Sequence, residues 1–322
     1  MIPPVVLAPL AGGPSTPELA AAVTNAGGLG FVAAGYLTPD ELERRLRRTR
    51  ELTDGPLAVN LFVLDEQLPD EDAVARYAER LRADGEPVGE PLFDDDQLAA
   101  KLEVTLAART DVVSTTFGPP PPDLVAAAHA QGVSVWATVA SADDARRAID
   151  AGADVLVAQG SEAGGHRASY DDGVETDLPL LDLLAALRDF DLPVVGAGGI
   201  VDRASADAAR AAGAAAVQAG TAFLLCPEAG TSAAHRRAIE RGGPTAITRA
   251  FTGRRARGIA NRFMSEHADA PSAYPQVHFL TAPLRAAARE TGDTDRINLW
   301  AGTGVDAVRA RPAAEVVEEL RP

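Results

Sequence analysis

Apolar and polar positions along this chain follow two periods in turn. Short apolar runs bounded by glycine, proline or polar residues occur at residues 5–8, 30–33, 57–61, 112–115, 134–138, 155–158, 194–197 and 215–219, and each reads as a buried strand. Segments of helical spacing lie between them. Thr16 before Pro17, Thr38 before Pro39, and Ser141 each set a capping hydroxyl at the start of such a segment. Residues 70–83 and 94–108 read as two helices that enlarge the third strand–helix unit. Eight apolar runs separated by helices specify a parallel sheet, and eight is the number that closes one into a (β/α)8 TIM barrel. An open doubly wound sheet is the alternative.

The alternation breaks after Cys226. Residues 229–241 are helical, but residues 243–274 are arginine-rich and irregular, which suits a small C-terminal lid over the barrel mouth. A helix at 284–291 and an amphipathic tail at 313–320 return to the barrel wall. The expected organisation is a barrel of residues 1–242 and 280–322, with residues 243–279 as a lid or substrate subdomain.

Composition narrows the function. The chain has 322 residues, 46% hydrophobic and 24% charged, an ordinary balance for a soluble globular enzyme. A net charge of −16 argues against nucleic acid or an anionic membrane as partner, since both need a concentrated basic face. The single cysteine excludes a disulfide framework and a CxxC redox pair, and no metal site is expected. No basic leader with an apolar core opens the chain, and no run of about 18 apolar residues follows, so a cytoplasmic protein is expected. Lys101 is the only lysine and sits in an amphipathic helical stretch. Schiff-base and pyridoxal-phosphate chemistry, which need an amine at the barrel mouth, are therefore disfavoured.

Candidate chemistry begins at residues 155–167. The sixth apolar run stops at Gln159, and a glycine-rich loop through Gly164 and Gly165 then delivers His166 and Arg167. Glycine lets the backbone approach a ligand closely, and a neutral imidazole moves protons near pH 7. Two later loops, Ala197-Gly198-Gly199-Ile200 and Gln218-Ala219-Gly220-Thr221, follow the seventh and eighth strands. A phosphate in such barrels commonly rests on bare N–H groups between these two loops. Asn60 and Gln159 stand at strand ends, where an amide can both donate to and accept from a ligand edge.

These segments resemble one family. The Ala-Pro-Leu-Ala-Gly start at residues 8–12, Asn60, Gln159 with Glu162-Ala163-Gly164-Gly165-His166-Arg167, the two glycine loops, and Gly253-Arg254-Arg255-Ala256-Arg257 are similar to the nitronate monooxygenases, over nearly the whole chain. The resemblance implies a barrel holding non-covalent FMN and oxidation of an alkyl nitronate by O2 to a carbonyl compound and nitrite. It implies FMN contacts at Asn60, Gln159, Gly164, Gly199, Gln218, Ala219, Gly220 and Thr221, with His166 beside the substrate as base or anion holder. One of Arg254, Arg255, Arg257 and Arg262 is expected to touch ligand. Ala168 departs from the pattern, which has glycine after the His-Arg pair, and Thr115-Thr116 before Phe117 is a less usual feature. Cys226 follows the eighth strand, so a thioimidate mechanism lacks its nucleophile after the sixth. The partners this implies are a small-molecule substrate and O2, with a homodimer left open. Two rivals stand: an FMN-dependent NAD(P)H:quinone or enoyl-thioester reductase on the same barrel, and a barrel that binds FMN or a phosphorylated metabolite without turnover.

Overall fold

The computed structural model describes residues 1–64, 69–174 and 177–322. In chain order its strands are β1 (Val5–Leu7), β2 (Gly30–Ala33), β3 (Leu57–Phe62), β4 (Val112–Thr116), β5 (Ser134–Val139), β6 (Val155–Gln159), β7 (Gly165–His166), β8 (Val194–Ala197), β9 (Ala216–Ala219), β10 (Thr245–Thr248) and β11 (Ala256–Ile259). Eight of them form one parallel sheet in the order β1-β9-β8-β6-β5-β4-β3-β2. The sheet closes through a parallel bridge between Val6 and Leu29, where Leu7 N–H donates to the Leu29 carbonyl at 3.0 Å and Leu29 N–H to that of Val5 at 2.9 Å. The fold is a (β/α)8 TIM barrel.

The two faces of each strand separate the core into layers. Val6, Phe31, Trp136, Val157 and Val195 belong to the cluster that fills the barrel. Their neighbours Val5, Leu7, Leu156 and Ala158 belong to the cluster under the helices. Because side chains alternate with period two, the inward set continues to Asn60 from Ala58, to Thr138 from Trp136, to Gln159 from Val157 and to Gln218 from Ala216. The interior is thus apolar at the N-terminal end and polar at the C-terminal rim.

Local signals in the sequence place the helices. Thr16, Thr38 and Ser141 accept the N–H groups of Leu19, Glu41 and Asp144 as N-caps, and Asp202 forms a capping box with Ser205. One start differs from the sequence reading: the helix expected from 94 runs only over Leu98–Ala107. Asp94 and Asp95 use their carboxylates to bind the N–H groups of Asp96 and Gln97 at 2.8 and 2.9 Å, and Asp96 and Gln97 adopt left-handed backbone at φ +58° and +51°. Side-chain capture of the backbone here outcompetes the helix. No helix among the described residues is long and apolar enough to cross a membrane.

The stretch after residue 243 is ordered, not irregular. β10 and β11 pair as an antiparallel hairpin, and β11 pairs in turn with β7 through Ala256 opposite His166. Beneath this small sheet lies a separate apolar cluster that joins Phe251, Phe263, Val277 and Leu280 to Val74, Tyr77 and Leu81 of the helix Glu71–Ala83. The enlargement of the third unit therefore shares a core with the segment after the last barrel strand. The tail helix Ala313–Leu320 buries Val316, Val317 and Leu320 in the cluster between sheet and helices.

Candidate active site

A cavity of about 490 Å³ opens at the C-terminal rim of the barrel. Asn60, Gln159, Gly164, His166, Gly199 and the run from Gln218 to Thr221 all line it, so the structure brings these nine expected residues together. Their local roles differ. Asn60 Nδ2 donates to Ser114 Oγ and to Thr116 Oγ1, both at 2.9 Å, which fixes the amide against the β4 rim. Thr116 in turn lies 3.5 Å from Thr138, so the unusual threonine pair before Phe117 contributes a hydroxyl to the cavity floor.

Gln159 is engaged by its own loop. Its Oε1 accepts from Arg167 Nη1 at 3.0 Å and from Ala168 N–H at 2.9 Å, while its Nε2 donates to the His166 carbonyl at 3.0 Å. Arg167, 1% exposed, also donates to the Gly160 carbonyl at 2.6 Å. The amide and the guanidinium thus tie both ends of the loop to the strand that launches it. Ala168 is fully buried with ordinary backbone, so the site where the family pattern has glycine needs no positive φ here.

At Gly164 an added Cβ would lie 2.5 Å from the Ala301 carbonyl carbon and the Gly302 nitrogen. Only glycine admits this approach. Gly302 N–H donates to Thr221 Oγ1 at 2.9 Å, and Thr303 N–H to the Glu162 carbonyl at 3.0 Å. Residues 300–304 therefore bridge the sixth and eighth loops, a contribution that sequence reasoning missed although Trp300-Ala301-Gly302-Thr303-Gly304 is itself glycine-rich. Gly198 and Gly199 take φ +121° and +69°, leaving bare backbone on the cavity side of the seventh loop.

His166 stands in an aromatic cage. The centroids of Phe117, Tyr274 and Trp300 lie 5.7, 5.4 and 5.7 Å from its own, and its Nε2 is 3.0 Å from Thr252 Oγ1. Burial, reinforced by the charges of Arg254 and Arg285, pushes its pKa down to about 3. The ring is neutral at physiological pH. The aromatic wall was not legible because its rings come from separate segments: Phe117 after β4, Tyr274 before the helix Gln276–Leu280, and Trp300 near the C-terminus.

The arginines are distributed differently from the sequence reading. Arg254 lies 4.1 Å above the Phe117 ring and donates to the carbonyls of Arg167 and Ser169. Arg255 pairs with Asp177, Arg257 donates to the Ser161 carbonyl at 2.8 Å, and Arg262 pairs on the surface with Glu266. None of these four lines the cavity, whereas Arg285 and Arg289 do. Arg285 is buried, and its bonds run to the Thr281 hydroxyl at 3.1 Å, the His278 carbonyl at 2.6 Å and His278 Nδ1 at 3.3 Å. Among the described residues it makes no ion pair. A buried cation without a carboxylate beside a cavity is a place for an anion. Among the described residues no cluster of histidine, cysteine or carboxylate groups could hold a metal ion.

A closed parallel barrel with polar groups confined to its C-terminal rim, glycine-cradled loops and a caged neutral histidine defines an enzyme of the TIM-barrel class. The family model for nitronate monooxygenase matches residues 1–322, and the chain belongs to that family of oxidoreductases. It is 41% identical to the nitronate monooxygenase of Pseudomonas aeruginosa, over 99% of this chain and 96% of the relative. It is 35% identical to a probable nitronate monooxygenase of Bacillus subtilis, over 94% of this chain and 90% of that one. Among solved structures, a nitroalkane oxidase from Streptomyces ansochromogenes superposes with a TM-score of 0.94 at 44% identity, covering 98% and 94% of the two chains. FabK from Thermotoga maritima superposes with a TM-score of 0.78 at 26% identity, covering 98% and 91%.

Proposed function

We propose that this chain binds FMN non-covalently and oxidises alkyl nitronates with O2 to a carbonyl compound and nitrite, with His166 as the proton-transfer group. The observation that carries the reading is a neutral imidazole facing a cavity that also holds a buried arginine with no carboxylate partner among the described residues. The groups present fit FMN. Gly199, Gly220 and Thr221 would receive its phosphate on backbone N–H groups, and Asn60, Gln159, Gly164, Gln218 and Ala219 would lie along the cofactor. Arg285 would offset negative charge on the cofactor or substrate. Bound FMN supplies electron acceptance and the reaction with O2. Residues 243–279 would cover the cavity as a closing subdomain.

His166 gives the chain a second substrate form. The Thr252 hydroxyl can donate to the Arg254 carbonyl at 3.3 Å, which leaves its lone pair for His166 Nε2–H and makes Nδ1 the basic nitrogen. A neutral nitroalkane must first lose a proton from carbon. Nδ1 takes it, and the nitronate formed alongside offsets Arg254 and Arg285, so the imidazolium is stabilised as the anion appears. The relative from Streptomyces carries the name nitroalkane oxidase, in keeping with such a step.

The test uses the purified protein. Its visible spectrum and the chromophore released on denaturation should identify FMN, and anaerobic mixing with a nitronate should bleach that chromophore. Bleaching by NADH and not by nitronate would make it a reductase, and a stable chromophore unaffected by either would make it a carrier. His166→Asn should keep the chromophore and most nitronate turnover but lose roughly 10²–10⁴-fold on the neutral nitroalkane. Wild-type rates with both forms would remove His166 from the chemistry.

A further inference from the structure

Lys101, the only lysine in the chain, is 1% exposed and holds Nζ 2.7 Å from Asp96 Oδ1. The same oxygen accepts the Tyr36 N–H at 2.9 Å. A buried ion pair is weak as a source of stability, so its use here calls for a positional reason. Tyr36 supplies one: its backbone is left-handed at φ +67°, a conformation that a bulky residue keeps only when its surroundings impose it.

What the pair holds in place is a wall. The Tyr36 ring stacks on His278 with centroids 4.4 Å apart and planes within 1°, and its hydroxyl lies 3.1 Å from that of Tyr274. Tyr274 is itself one of the rings around His166. Behind the wall lies a second cavity of about 310 Å³, bounded by Asp96, Gln97, Pro275 and Phe279. Tyr36, His278 and Ala282 face both cavities. Of the left-handed residues other than glycine, Tyr36, Asp96 and Gln97 cluster at this second cavity.

We propose that Tyr36 is a specificity-determining partition that limits how far an alkyl chain can extend from His166, and that Lys101, acting through Asp96, is the positioning residue that keeps the partition closed. The inference rests on the nitronate reading for its substrate class. A short chain fits within the inner cavity. A longer one must displace the Tyr36 ring to reach the apolar surfaces of Pro275 and Phe279.

Tyr36→Gly removes the ring and accepts the left-handed backbone, and Tyr36→Asn, which also tolerates it, serves if the glycine variant is not recovered. In the holoenzyme, kcat/KM for nitronates from the ethyl to the octyl member should shift toward the long chains, by about fourfold for each methylene that reaches the second cavity, and through KM. Lys101→Met should shift selectivity the same way by a smaller factor. Lys101→Met with Asp96→Asn should restore the wild-type order, because the amide oxygen still accepts the Tyr36 N–H and no charge is left unpaired. Binding of carboxylates from propionate to octanoate, read from the fluorescence of Trp300 in the inner cavity, should show the same changes in Kd. That arm needs no turnover, so it separates failure of the partition from failure of the nitronate assignment. A chain-length dependence unchanged in both Tyr36 variants overturns the partition. A Lys101→Met protein that is less heat-stable but keeps the wild-type chain-length order overturns the role of the ion pair.

Discussion

The barrel and the small sheet above it are built on opposite principles. Apart from the closing pair of β1 and β9, each barrel strand pairs with the barrel strands next to it in chain order, and its inward side chains are settled by a period of two, so each rim residue inherits its place from a regular pattern. The cap joins β7, the β10–β11 hairpin, the helix Glu71–Ala83 and residues 300–304, which lie far apart along the chain. The barrel supplies the floor of the cavity and its glycine loops. The cap supplies the groups that tune it, including the Thr252 hydroxyl against His166 and the buried Arg285.

The largest test of that contrast is the joint between the two parts. Arg167→Leu removes the charged donor from the buried Gly160 carbonyl and from Gln159 Oε1, which keep only the backbone N–H groups of Ala163 and Ala168. The expected loss is about 4 kcal/mol of stability, measured by chemical denaturation, with His166 displaced. A loss under about 1 kcal/mol would mean that the loop holds itself. Gly164→Ala comes next, because its methyl would collide with backbone at Ala301 and Gly302. Forced separation of the sixth loop from residues 300–304 should cost about 2–3 kcal/mol and lower cofactor occupancy, read from the visible spectrum. Full occupancy would show that the C-terminal bridge is not needed to shape the floor.

This contrast also decides what was legible in the sequence. Eight strands, the Thr16, Thr38 and Ser141 caps and the glycine loops could be read because each depends on neighbours a few residues away. Co-location of Asn60, Gln159, His166 and Gln218 followed once the barrel was granted. The amide of Gln159 being occupied by its own loop did not follow, since it depends on Arg167 folding back. The arginines at 254, 255 and 257 look like a ligand-binding run in sequence, yet the carbonyls of residues 161–169 and the carboxylate of Asp177 draw them into the framework. Arg285 was hidden for the opposite reason: it lies on a helix whose periodicity reads only as barrel wall.

Acid should affect the cap before it affects the barrel strands. Burial lowers the pKa of His166 to about 3 and that of His278 to about 2, while that of His267 is also lowered. The unfolded chain binds protons at these sites near pH 6.5 and the folded chain does not, so stability is complete above about pH 6.5 and falls as pH drops toward the folded values. Each histidine contributes at most about 1.4 kcal/mol per pH unit, and less where its ring faces the cavity. Denaturation between pH 7 and 5 should show this slope, and His166→Asn should flatten it. A stability that is level down to the carboxylate range would show that these rings gain protons without unfolding.

The smallest change addresses whether cap and barrel unfold as one. Tyr77 sits on the helix Glu71–Ala83 and donates its hydroxyl to the Ala250 carbonyl at 2.7 Å, in a core that the barrel clusters do not share. Tyr77→Phe keeps the ring and its packing but leaves that buried carbonyl without this donor. The cost should be about 1 kcal/mol. If the second core is a separate unit, amide exchange should quicken within residues 71–83 and 250–284 while β3 to β6 keep their protection. If the shared helix binds the two into one cooperative structure, protection should fall equally in the barrel strands, by the roughly fivefold that about 1 kcal/mol represents in an opening equilibrium. The first outcome is the one expected, because the cap's cluster joins residues 71–83 to residues 250–284 and not to the inward-facing residues of the barrel.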